Sequence, residues 1–244
     1  MPGRVALITG GARGIGRAIG LDLARAGWAI ALCYRTSTEA AEDARRAIEA
    51  EGTRALAVRA DVSDPETAEG LVRRVEDAWG RIDALINCAG PYRRVALLDE
   101  TPAGWRDVFE NNLHPVFYLS RATAPGMIAR RWGRILAFSM ATADQLTAQP
   151  NVTAYYIAKA GILVLVRSLA RTLAPHGVTA NAISPGFIDS GGLPQEELDA
   201  MRPRIPAGYI GAPADAVAAA RYLLSEEARY VTGTNIHVSG GWGI

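Results

Sequence analysis

Short apolar runs alternate with longer stretches in which apolar residues return every three or four positions, and the alternation repeats along the whole chain. The runs at 4–9, 28–33, 54–59, 84–88, 134–138, 179–184 and 235–238 predict strands. Between them, 14–26, 38–51, 65–79, 101–113 with a continuation to 130, 153–173 and 213–224 predict helices, the third with proline in its first turn. Strands apolar on both faces and separated by helices imply a parallel sheet covered on both sides. The expected fold is α/β, a single-domain Rossmann-like doubly wound parallel sheet spanning residues 1–244.

Two stretches break the rhythm. Residues 141–152 form a polar loop, and 189–211 are rich in Gly and Pro, including Gly191, Gly192, Pro194, Pro203 and Pro206. Both follow predicted strand C-termini, where ligands bind in open α/β sheets. The length of the second predicts a substrate lid.

Composition narrows the function classes. With 49% hydrophobic and 21% charged residues the chain can bury one sizeable core, and a net charge of +1 gives no basic field for nucleic acid or a membrane surface. Without a charged leader or a long apolar span, a cytoplasmic protein is expected. Cys33 and Cys88 are read as free thiols, and His114, His176 and His237 are scattered singly, so no metal site is expected.

The first strand empties into Thr9-Gly10-Gly11-Ala12-Arg13-Gly14-Ile15-Gly16 directly before a helix. Glycines there admit a tight turn and the close approach of a pyrophosphate, whose charge meets the helix N-terminus. An acid at the end of the second strand would hold the ribose 2′-hydroxyl of NAD, but the chain has Tyr34-Arg35-Thr36. Arg13 and Arg35 together suit a 2′-phosphate, which favours NADP(H); a solvated Arg35 is the plainer alternative.

Against twenty-five arginines the chain has one lysine, Lys159, four residues after Tyr155. On a helix these two share a face. A phenol titrates near 10, and a neighbouring ammonium favours its ionised form, so Lys159 is expected to lower the Tyr155 pKa.

With these motifs in this order, nearly the whole chain resembles the short-chain dehydrogenase/reductase family, and most of all its 3-oxoacyl-carrier-protein reductases. Thr9 to Gly16 is similar to the family's cofactor turn, Asn87-Cys88-Ala89-Gly90 to its Asn-Asn-Ala-Gly segment, and Tyr155 with Lys159 to its active pair. Pro185-Gly186 is similar to its nicotinamide loop, and the ending from Thr232-Gly233 to Gly240-Gly241 also matches. The resemblance implies a cofactor set of Gly10, Arg13, Gly14, Ile15, Gly16, Tyr34, Arg35, Thr36, Asp61, Val62, Asn87, Ala89, Gly90, Tyr155, Lys159, Pro185, Gly186, Ile188 and Ser190. It implies that Lys159 binds the nicotinamide ribose. Asn112, rather than Asn111, would fix a water in a proton relay; a helix C-cap is the competing role for Asn112. It also implies a homotetramer or homodimer acting on a small-molecule or acyl-thioester substrate.

One position departs from the family. Six residues past Arg134, where a serine normally binds the substrate carbonyl, stands Met140, whose thioether cannot donate a hydrogen bond. Ser139, Thr142 and Asp144 are the available substitutes, and Ser139 joins Tyr155, Lys159 and Asn112 in the expected catalytic set. The expected activity is NADPH-dependent reduction of a ketone to an alcohol. A pteridine or dihydrofolate-type reductase, an alcohol dehydrogenase and a cofactor-binding regulatory protein are the alternatives.

Overall fold

Val5–Thr9 is buried at every position, and its side chains alternate between two hydrophobic clusters: Ala6 and Ile8 join one, Val5 and Leu7 the other. A segment apolar on both faces can only be an inner strand of a sheet covered on both sides. In the computed structural model, which describes residues 3–191 and 194–243, it is β1, near the middle of a seven-stranded sheet. The others are β2 (Ala29–Tyr34), β3 (Ala55–Arg59), β4 (Ala84–Asn87), β5 (Gly133–Phe138), β6 (Val178–Pro185) and β7 (Asn235–Val238). Their order is β3-β2-β1-β4-β5-β6-β7, and every pairing is parallel.

Helices α1 (Gly14–Arg25), α2 (Thr38–Ala50) and α8 (Pro213–Leu224) cover one face through Ile19, Leu23, Ile48, Val217 and Leu223. The other face is covered by α3 (Pro65–Trp79), α5 (His114–Arg130) and α6 (Thr153–Leu173) through Leu71, Val75, Leu119, Met127 and Leu173. Asp64 caps α3 by accepting from the Thr67 amide at 2.7 Å. Thr101 does the same for α4 (Pro102–Asn112), accepting from the Gly104 amide at 3.0 Å. The buried Asp83 locks the start of β4 to β1, accepting from the Val5 amide at 2.9 Å while Arg81 grips its carboxylate.

The doubly wound parallel sheet expected from the pattern is the fold observed. Boundaries differ by a residue or two, and the helix expected over 101–113 with its continuation to 130 is the pair α4 and α5, meeting at Leu113. Residues 189–211 are not irregular throughout. They contain the short helix α7 (Gln195–Met201), seated by the buried Leu198 and followed by the buried Ile205. Gly192, counted with this stretch, lies outside the described residues. Among the described residues no helix is long and apolar enough to cross a membrane, and no cluster of side chains suits a metal.

Candidate active site

Strand order, not strand direction, reverses between β1 and β4: from β1 the sheet grows outward to β2 and β3 on one side and to β4 on the other. Crossover helices therefore leave a crevice at the C-terminal ends of these two strands. Register puts Thr9 beside Asn87, and the Thr9 hydroxyl accepts from the Ala89 amide at 3.1 Å, fixing the glycine turn against the loop after β4. Gly10 has φ +65°, and a Cβ on it would lie 3.1 Å from the Ala89 nitrogen. A Cβ on Gly16 would lie 2.6 Å from the Gly10 carbonyl oxygen, so only glycine lets α1 start this close to the turn. Arg13, exposed, stands at the N-cap of α1 without a side-chain cap, and Ile15 packs on the core below. Across the turn sits Ser190, 3.3 Å from the position a Gly14 Cβ would take.

At the end of β2, Tyr34 is half-buried while Arg35 and Thr36 are exposed. Arg35 donates to Asn111 Oδ1 at 2.8 Å and lies 3.8 Å from Asp61. Asp61 also accepts from the Ser63 amide and hydroxyl at 3.1 and 2.7 Å, and Val62 beside it is buried. On β4, Asn87 is buried, and neither its Oδ1 nor its Nδ2 has a partner among the described residues. Buried amides are rarely left unpaired, so a polar group that the chain itself does not supply belongs here. Pro185 ends β6 beside Val238; the Gly186 amide donates to the Val238 carbonyl at 3.0 Å, and a Cβ on Gly186 would lie 2.9 Å from Ser239 Cα. Ile188 pairs with Gly211, closing the base of the 189–211 segment over a cavity of about 440 Å³ lined by Asp189, Leu198, Arg202 and Tyr209.

Tyr155 and Lys159 are brought together on α6, with the Lys159 nitrogen 5.4 Å from the centre of the Tyr155 ring. The ammonium is buried and donates to the Phe138 carbonyl at 3.0 Å. Burial pulls its pKa down to about 8, against a weak opposing contribution from Cys88. Burial pushes the Cys88 thiol up, out of the range of a reactive thiolate. The Tyr155 phenol is also raised, first by burial and then by Tyr92. This corrects the expectation that Lys159 pulls the phenol down: the ammonium is turned to a main-chain carbonyl, and desolvation of the phenol prevails.

Gly90 is where these groups meet. A Cβ there would lie 2.6 Å from Asn112 Oδ1 and 3.1 Å from Lys159 Nζ. Asn112 is buried at the last residue of α4, its Nδ2 donating to the Val108 and Pro91 carbonyls at 3.0 and 3.3 Å while Oδ1 has no partner among the described residues. Asn111 turns outward to Arg35.

Ser139 is placed differently from its expected role. Its hydroxyl donates to the Lys159 main-chain carbonyl at 2.8 Å, under α6, and so braces the helix rather than offering a proton to the cleft. Met140 packs against the cluster around Ile162. Sequence reasoning overlooked two aromatic contacts. Tyr92 stands edge-on to Tyr155 with centroids 5.1 Å apart, and Phe187 packs on Trp242 with centroids 4.5 Å apart and ring planes tilted by 47°. Their positions two residues after Gly90 and directly after Gly186 were the available signals.

A glycine cradle at a helix N-terminus, an unpaired buried asparagine and a half-buried Tyr155 one turn from the buried Lys159 fit a dinucleotide. The residues from Gly10 to Gly16 would take its pyrophosphate and those around Gly90 its nicotinamide end.

Comparison with known proteins gives the same picture. A family model described as enoyl-(acyl carrier protein) reductase matches residues 10–243. The chain is 36% identical over 239 residues to 3-oxoacyl-(acyl-carrier-protein) reductase FabG of Staphylococcus aureus strain Mu50, covering 97% of this chain and 96% of that one. To the enzyme of the same description from Haemophilus influenzae it is 36% identical over 245 residues, covering 99% and 98%. A crystal structure from Sinorhizobium meliloti 1021, provisionally described as a short-chain alcohol dehydrogenase, superposes with a TM-score of 0.92 at 32% identity, covering 99% of this chain and 97% of that one.

Proposed function

Because the chain belongs to the short-chain dehydrogenase/reductase family and is an oxidoreductase, we propose that it reduces a ketone, of the 3-oxoacyl thioester type or a related small carbonyl, to an alcohol with NADPH. The observation that carries this reading is the convergence at Gly90, where Asn112 Oδ1 and Lys159 Nζ meet within one turn of Tyr155.

The dihydronicotinamide, when bound, supplies a hydride to the carbonyl carbon. Tyr155 gives its proton to the oxygen; burial keeps the phenol protonated at neutral pH, which is the state a reductase needs. Lys159 would hold the cofactor's ribose and supply positive charge toward the oxygen being protonated, and Asn112 Oδ1 would accept from a water that returns the proton to Tyr155. Arg13 at the N-cap of α1 and Arg35 directly after β2 supply two exposed guanidinium groups for a 2′-phosphate. The 189–211 segment acts as the lid. A pteridine-type reading gains nothing from Asp144, the acid nearest the missing serine, because its carboxylate is committed to His237 and Asn235.

The exposed Phe117 of α5 with Ile157 and Val164 of α6 offers an apolar face for self-association as a homotetramer or homodimer, which sedimentation velocity reads directly. Activity is tested by NADPH oxidation against 3-oxoacyl thioesters, small diketones and dihydropteridines. Turnover of the keto substrates supports the proposal; tight NADPH binding without turnover of any ketone contradicts it.

A further inference from the structure

The reading above lacks a hydrogen-bond donor to the substrate oxygen besides Tyr155, since Met140 stands where the family has serine. Hydrogen-bond accounting around the end of β5 singles out the substitute. Ser139 has committed its proton to the Lys159 carbonyl at 2.8 Å. The Asp144 carboxylate is bound by His237 Nε2 at 2.7 Å and Asn235 Nδ2 at 3.1 Å, and Asn235 is itself braced by the Ser184 hydroxyl at 2.7 Å. Of the three candidates only Thr142 keeps an uncommitted donor: the Asp144 carboxyl is held ionised and has no proton to give, whereas Thr142 Oγ1 is buried and has no partner among the described residues.

Thr142 is also conformationally unusual. Its φ is +76°, in the left-handed region that a β-branched residue rarely enters. Such strain persists only where the surroundings impose it. Here they do. The Thr142 carbonyl accepts from the Tyr156 hydroxyl at 2.7 Å and from the Gln145 amide at 3.0 Å, and its methyl is seated where a Cβ on Gly243 would overlap it. The residue that clamps Thr142 is the immediate neighbour of Tyr155.

We propose that Thr142 Oγ1 is the donor that replaces the family's serine, holding the substrate carbonyl oxygen for protonation by Tyr155. The inference rests on the ketone-reductase reading. In the step, the carbonyl π bond breaks, its carbon gains the hydride, its oxygen gains the Tyr155 proton, and Thr142 keeps its own proton throughout. Tyr156 is then a positioning residue, acting through the Thr142 backbone.

The test compares Thr142→Val, Thr142→Gly and Thr142→Ser with the parent, measuring kcat and KM on the best ketone of the panel, NADPH affinity by fluorescence and thermal unfolding. Loss of one such donor costs on the order of a hundredfold in rate. Val and Gly should therefore each lose about a hundredfold in kcat with KM and NADPH affinity within a few-fold, while Ser stays within about tenfold of the parent. Glycine accepts positive φ without strain, so Thr142→Gly should fold even where Val does not, and its slow turnover in a stable protein separates chemistry from structure. Adding Met140→Ser to Thr142→Val should recover at least about tenfold. Near-parental kcat in a folded Val or Gly variant, with Tyr155→Phe inactive, overturns the proposal and leaves the reductase reading standing. A parent that binds NADPH yet turns over no ketone overturns both.

Discussion

The hydroxyl of Tyr156 donates to the carbonyl of Thr142 at 2.7 Å and accepts from the Thr147 amide at 3.0 Å, so the residue after Tyr155 clamps the loop that follows β5. One turn of α6 thus presents a phenol to the cleft with Tyr155 and buries another beneath the loop with Tyr156. Removing the second should loosen the substrate side without touching the acid.

Tyr156→Phe should cost about 1 kcal/mol in chemical unfolding, because the buried Thr142 carbonyl and the Thr147 amide lose their shared partner. Acting through Thr142, the change should lower kcat on the ketone several-fold while KM stays within a few-fold and NADPH affinity is unchanged. Steady-state kinetics with a cofactor titration check both.

Lys159 gives opposite signs for activity and stability with pH. Its native pKa of about 8 lies below the ordinary 10.5, so the native state releases the proton first. Activity that needs the ammonium should be level below pH 8 and fall above it. The burial penalty on the charge is fully present below pH 8 and is relieved as pH rises toward 10.5, so this group's contribution to stability improves where activity declines. Rate profiles and denaturant titrations across this range check the pair of slopes. Lys159→Arg should remove the alkaline limb attributable to this group, since guanidinium does not titrate there.

Arg35 is held by Asn111 at 2.8 Å and stands 3.8 Å from Asp61, which keeps its guanidinium at the end of β2. Arg35→Ala should weaken NADPH binding by about tenfold, the worth of a charge-assisted hydrogen bond, and leave NADH binding unchanged. Fluorescence titration with both cofactors decides it; equal losses for the two would remove Arg35 from 2′-phosphate recognition.

The fold was legible because β1, β2, β4, β5 and β6 are apolar on both faces and each is separated from the next by an amphipathic stretch, a pattern that suits only a covered parallel sheet. The helix α7 was not, because its seven residues bury only Leu198 and lie among prolines and glycines that signal loop. In the site, the motifs located the groups that converge at Gly90, but not what Ser139, Thr142 and Asp144 do. Their roles depend on partners far along the chain: the Lys159 carbonyl for Ser139 and His237 with Asn235 for Asp144. Alternation along a strand says which way Ser139 points and nothing of what it meets. The phenol pKa was misjudged for a similar reason, since spacing shows that Lys159 is near Tyr155 but not that burial outweighs it.

The central claim is that Tyr155 protonates a ketone as hydride arrives. Single-turnover oxidation of bound NADPH by a 3-oxoacyl thioester, compared between the parent and Tyr155→Phe at matched cofactor occupancy, tests it most directly. A burst in the parent, reduced by at least about a thousandfold in the variant with NADPH affinity preserved, is the predicted result. A variant that oxidises NADPH at the parental rate would contradict it.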